Sequence, residues 1–214
     1  MKKHFIPFFL ILSLLLAACF PASADVITAL AIEVNPDHLE KTASYARILG
    51  YNEESNTLTV ELIAPEIFDR EDVLSLQVGD GIYTGGREVT IQSISYDDDW
   101  CSALFINDGE LMLLQDRSGN YTMMADEDDF VWTAFAQIEC PVRPSLLFLD
   151  YIDHETGSAL ALPVVRTADE LTAELRAAGP AEAYTVGLST NNVYVVFDGE
   201  GSLATIQRFY VPWQ

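Results

Sequence analysis

Apolar and polar positions alternate in short bursts along most of this chain, the rhythm of antiparallel strands. Residues 26–34 read as a first strand, stopped by Asn35-Pro36-Asp37. The β-prone runs 43–51 and 57–63 flank Asn52-Glu53-Glu54-Ser55-Asn56, which predicts a hairpin. Residues 68–74 look like one helical turn with Asp69 as its N-cap. A strand over 76–82, a Gly79-Asp80 turn and a second strand at 89–94 entered through Gly85-Gly86 follow a small-barrel pattern. The middle is a meander of strand-length runs at 103–106, 111–114, 121–124 and 130–138. Asn107-Asp108-Gly109 and Ser118-Gly119-Asn120 separate the first three as turns.

Pro141 and Pro144 interrupt this pattern and set a soft boundary between 25–142 and 143–214. Beyond it, runs at 146–151 and 159–165 enclose the turn Asp153-His154-Glu155-Thr156-Gly157. One helix is predicted from about Ala168 to Ala178: Thr167 and Glu170 have capping-box spacing, Leu171, Leu175 and Ala178 form the stripe, and Gly179-Pro180 ends it. Runs at 193–197 and 203–211 close a hairpin around Asp198-Gly199-Glu200-Gly201. The expected fold is mostly β, with small barrel- or sandwich-like antiparallel sheets and one helix in the C-terminal half, the second part packed on the first.

The first 24 residues do not belong to that pattern. Lys2, Lys3 and His4 precede an apolar run from Phe5 to Ala18, broken by Pro7 and Ser13. That run falls short of the ~20 residues a spanning helix needs, so it reads as a cleavable export signal. Leu16-Ala17-Ala18-Cys19 resembles the lipobox of bacterial lipoproteins. The resemblance covers four residues and the apolar run, and implies cleavage before Cys19, with a diacylglyceryl group on its sulfur. Ala22-Ser23-Ala24 offers an ordinary secretory cut after Ala24 instead. Either cut places the protein outside the cytoplasm; a membrane-anchored lipoprotein is favoured over a freely secreted one, and the membrane is a partner only through that anchor.

Charge narrows the partners. With Lys2 and Lys3 gone, 9 basic residues face 33 acidic ones, a net charge of −24, and Lys41 is the one lysine left. Such a surface repels phosphate backbones, so nucleic acid is not expected. A basic protein, a cation or a carbohydrate fits better. Cys101 and Cys140 are an even pair in an exported chain, read either as a disulfide or as two buried thiols.

Two acidic stretches lie between strands: Asp97-Asp98-Asp99 and Asp126-Glu127-Asp128-Asp129. Asp97, Asp98, Asp99, Asp126, Asp128 and Asp129 could supply oxygens to Ca2+, but they lack the alternating order that wraps a chain around the ion, so a solvated loop is the plainer reading. No other cofactor is expected. Trp100 and Trp132 stand beside these acids, an arrangement suited to stacking on sugar rings, or else they fill the core. The sequence lacks G-x-S-x-G, H-E-x-x-H, S-x-x-K and a phosphate-cradling glycine loop, and no catalytic residue stands out. The reading is therefore an acidic cell-envelope binding or interaction module rather than an enzyme. The alternative is an envelope carbohydrate-binding protein or a glycoside hydrolase working with carboxylates.

Overall fold

A computed structural model describes residues 25–97, 103–125, 129–180 and 187–210. The protein is mostly β, and the described residues form three sheets and no closed barrel. Strands β1 (Val26–Thr28), β5 (Gly81–Thr84) and β6 (Arg87–Thr90) make the smallest sheet, in the order β1-β5-β6. The second contains β4 (Ile67–Phe68), β7 (Ile94–Asp97), β8 (Ala103–Ile106), β9 (Leu111–Gln115) and β10 (Tyr121–Met124), ordered β4-β10-β9-β8-β7. Three runs of the expected meander, 103–106, 111–114 and 121–124, are here as β8, β9 and β10 and pair in sequence, with β7 added beside β8; the fourth run, 130–138, belongs to the largest sheet instead.

The largest sheet takes strands from both sides of Val142. It contains β2 (Ala43–Asn52), β3 (Thr57–Pro65), β11 (Trp132–Pro141), β12 (Leu147–Asp153), β13 (Ser158–Thr167), β14 (Val193–Phe197) and β15 (Leu203–Arg208). Their order is β11-β3-β2-β14-β15-β12-β13. The β2–β3 and β14–β15 hairpins lie where the turn residues predict them, and β2 then pairs with β14 to fuse the two halves. Two pairings are parallel, β1 with β5 and β12 with β15.

Several of the short-range expectations shift. Of the stretch 76–82 only Gly81 and Ile82 are strand, in β5, and the run 89–94 divides between the end of β6 and the start of β7. The strand expected over 26–34 stops at Thr28, because the Leu30 amide turns to the Ile67 carbonyl at 2.7 Å rather than continuing along β5. Gly85-Gly86 is the turn between β5 and β6 rather than the entrance to a strand. Both residues have positive φ, at 56° and 75°, which the tight right-twisted hairpin requires and glycine adopts without a Cβ clash.

Helix α1 (Arg70–Ser75) is the expected short turn, with Asp69 Oδ1 accepting from the Glu71 amide at 2.7 Å. Helix α2 (Ala168–Ala177) has the full capping box: the Glu170 amide donates to Thr167 Oγ1, and the Thr167 amide donates to Glu170 Oε2 at 2.7 Å. Its Leu171 and Leu175 are buried against the large sheet, and Ala178 and Gly179 end it.

Two cores result. The larger joins Ile48, Val60, Phe148, Val195 and Ile206 of the seven-stranded sheet to Leu171 of α2. The smaller gathers Phe68, Val73, Ile82, Ile106, Leu113 and Tyr121 around the two lesser sheets. Leu171→Ala is expected to cost about 2–5 kcal/mol, since it empties the space beneath α2. Thr167→Ala is expected to cost about 1 kcal/mol through the lost cap. Urea midpoints of both variants test the ranking, and an equal loss would mean that the cap rather than the core holds the helix.

Candidate functional site

Among the described residues two buried carboxylates, Asp150 and Glu66, interrupt the apolar interior. The first begins on β12, where Phe148, Asp150 and Ile152 are buried on alternate positions. The parallel register with β15 sets Asp150 directly beside Arg208, and both are fully buried. Arg208 Nε lies 3.1 Å from Asp150 Oδ1 and Nη2 lies 2.7 Å from Oδ2, a two-pronged pair. Glu174, from the sheet-facing side of α2, takes the remaining prong through Arg208 Nη1. Arg166 of β13 adds a second cation, 3.2 Å from Asp150 and 3.7 Å from Glu174. Two acids and two arginines balance, and the Phe148 ring stacks 5.0 Å from the Arg208 guanidinium.

His154 completes the cluster from the turn after β12. Its Nε2 is 2.8 Å from Asp150 Oδ2 and 2.9 Å from Arg208 Nη2. Asp150, His154 and Glu174 bring their ligand atoms within 4.8 Å of one another, a spacing a metal ion could use. All three already touch the Arg208 guanidinium, which supplies the positive charge an ion would bring. A divalent ion would have to displace a buried arginine, so these residues fit an internal ion pair and do not fit a metal centre.

The second group is Glu66, in the link between β3 and β4 where the chain passes from the large sheet to the five-stranded one. Its side chain is 6 % exposed. Oε2 accepts from the Thr84 hydroxyl at 2.6 Å, Oε1 accepts from the Thr133 hydroxyl at 2.7 Å, and the Gly85 amide reaches both oxygens at 3.2 and 3.3 Å. Its own backbone amide donates to Val131, and its carbonyl accepts from Met123. Glu66 thus ties the β5–β6 hairpin, β10 and the start of β11 to one point. Beside it opens a cavity of about 310 Å3, walled by residues 28–32 with Pro65, Tyr83 and Thr133.

The outer face of the large sheet carries a row of aromatic rings. Phe130, Trp132, Tyr45 and Tyr194 meet edge to face, at centroid distances of 5.6, 4.9 and 5.2 Å along the row. Trp132 is half-buried and its Nε1 donates to Asp129 Oδ1 at 2.8 Å. Asp129 is thus a positioning partner for an aromatic ring. On the sheet's edge, β13 leaves Leu162 80 % exposed, with Val164 and Val165 beside it.

The other residues singled out from the sequence divide between described and undescribed segments. Asp97 ends β7, opposite Ala103. Asp98, Asp99, Trp100, Cys101, Asp126 and Asp128, like Cys19, lie outside the described residues, so neither acidic stretch is assembled as a site here. Cys140 on β11 is buried and has no disulfide partner among the described residues; its thiol is pushed up to about 11 by burial and then by the neighbouring Glu139 charge. Sequence reasoning singled out neither Glu66 nor the Asp150 cluster. The signal available was an acid in the apolar run Leu146-Leu147-Phe148-Leu149-Asp150-Tyr151-Ile152 and a strand-borne arginine at 208 in a chain poor in cations.

No family model matches this chain, and no curated protein or solved structure matches it.

Burial alone would raise the Asp150 carboxyl, but the hydrogen bonds and charge of Arg208, joined by His154, outweigh it and hold it below the usual range. Its contribution to stability is therefore complete above the unfolded value of ~3.9 and is lost as pH falls through the lower folded value. Asp116, Asp153, Glu170 and Asp198 are also held low by hydrogen bonds in turns and caps, and they add to the same acid-side loss. Asp150→Asn is expected to lose about 3 kcal/mol at pH 7, because it weakens a buried pair while leaving Glu174 on Arg208. It should also flatten, without abolishing, the fall in urea midpoint between pH 5 and pH 2. An unchanged acid limb in the variant would remove Asp150 from the account.

Proposed function

We propose that this chain is an exported, acidic binding module of the cell envelope, tethered through a lipid on Cys19 and not an enzyme. The observation that carries the binding part is the Glu66 cavity: a buried carboxylate beside an opening with largely apolar walls. That is the composition of a ligand site, mostly apolar with a few placed polar groups. Glycoside hydrolysis needs two carboxyl groups across a cleft, ~5–9.5 Å apart, free to take and give protons. The clustered acids Asp150 and Glu174 are instead locked on arginines, which suits scaffolding. Among the described residues no helix is long and apolar enough to cross a membrane, so the tether in this reading is the lipid.

The second reading is a carbohydrate-binding protein, and the aromatic row favours it. Tyr45 is 40 % exposed beside Trp132, whose ring is fixed by Asp129. Against it, the rings meet edge to face, at interplanar angles of 61° and 74°, and so make no flat platform for a sugar face.

Two measurements test the anchor and the non-enzymatic reading. The intact mass of the mature protein, taken from its host's envelope, is expected to start at Cys19 and include acyl chains; a mass starting at Asp25 would replace the anchored module with a released one. Incubated with envelope polysaccharide, the purified protein is expected to liberate no reducing ends. Sustained release that disappears on substituting a single carboxylate would make it a hydrolase.

A further inference from the structure

The two buried carboxylates among the described residues are treated in opposite ways. Asp150 is neutralised by Arg208 and Arg166. Glu66, equally removed from water, receives two hydroxyls and one amide and takes part in no ion pair among the described residues. Neutral donors ease the loss of hydration but leave the full negative charge in place, and a buried charge without a counter-charge is costly. A carboxylate can accept about four hydrogen bonds. Thr84 and Thr133 each fill one position and Gly85 straddles both oxygens, which leaves room for one more donor.

We propose that the cavity beside Glu66 binds a primary alkylammonium group, with the ammonium on the Glu66 carboxylate and the aliphatic stem along the cavity wall. The inference rests on the reading of this protein as a binding module and names what it binds. The walls supply the match for the stem: Ala29, Leu30, Ala31, Ile32 and Pro65 are apolar. Tyr83 lines the same space, 47 % exposed, its hydroxyl donating to the Gly86 carbonyl at 3.2 Å. A tyrosine face beside a carboxylate is a favourable place for an organic cation. A bare metal ion fits poorly, because Ca2+ wants six to eight oxygens and Mg2+ a near-octahedral set, which walls of alanine, leucine and proline do not provide. The acidic surface works in the same direction, since a net charge of −24 in the mature chain concentrates cations near the opening. Two sources share this chemistry, a free aliphatic amine and a lysine side chain presented by a partner protein.

The test is an amide-shift titration of the mature protein with n-butylammonium, with 1-butanol as a neutral control of the same shape and Nα-acetyl-lysine methylamide as the peptide-borne form. Saturable shifts centred on Thr84, Gly85 and Thr133 are expected for n-butylammonium, with butanol at least tenfold weaker. If the lysine derivative binds there too, the source extends to a protein lysine; if it fails while n-butylammonium binds, the ligand is a free amine. Glu66→Gln is expected to weaken binding at least tenfold. Because Glu66 also joins the two cores, Tyr83→Ala is the companion variant; it removes an exposed ring and is expected to weaken binding severalfold with the fold intact. Equal binding of butanol and n-butylammonium, or no localised shift with either cation, overturns the proposal. Failure of amine binding without polysaccharide turnover removes only this ligand class, whereas turnover removes the binding-module reading itself.

Discussion

Asp150 and Arg208 meet in the interior because β12 and β15 run parallel in one register, and much of the larger core is arranged around that meeting. A guanidinium has five N–H donors and no means of shedding its charge, so burying one obliges the fold to bring acids to it. The fold brings two, from different elements: Asp150 along the sheet and Glu174 down from α2. The arrangement fixes more than charge. It sets which face of α2 meets the sheet, where the helix lies along its axis, and which residue of β15 stands beside β12. Apolar contacts around Leu171 and Phe148 supply attraction without direction, while the ion pair supplies direction.

Glu66 has the corresponding place at the other junction, with different means. The chain crosses between the large sheet and the five-stranded sheet at Glu66, and its side chain and backbone together hold three other segments at that crossing. Hydroxyls and an amide do the holding, so the geometry is fixed while the charge is left uncompensated. One buried acid is closed upon itself and the other faces an opening. That contrast separates the part of the molecule built for rigidity from the part able to receive something.

Much of the local structure is legible in the sequence. The runs at 103–106, 121–124 and 193–197 coincide with β8, β10 and β14, and the helix at Thr167 starts and stops where its cap and Gly179 say it should. These are features of short range, set by alternation, turn residues and caps. The pairing of β2 with β14 and the parallel meetings of β1 with β5 and β12 with β15 are not legible, because any half-buried strand can face several others and no local residue names its partner. For the same reason the polar centres escaped notice. Glu66, with Ala64, Pro65 and Ile67 around it, looks like one more acid among 33 until the fold brings Thr84 and Thr133 to its oxygens. Nor does a proline-marked break in pattern near Val142 reveal that strands on both sides of it share a sheet.

The strand order has a consequence in time. β15 is inserted between β14 and β12, so the last of the described strands sits inside the sheet rather than at its rim. Until residues 203–208 are available, β12 has no neighbour toward the centre of the sheet, and Asp150 is an acid in an apolar row with its principal partner missing. A chain delivered from its N-terminus, whether by a ribosome or through a channel, therefore cannot complete its larger core early. The meander of β8, β9 and β10 pairs neighbours only and is free to form first. The larger core is in this sense sealed by residues 203–208, and without Arg208 the sheet is left open with a buried charge at its broken edge.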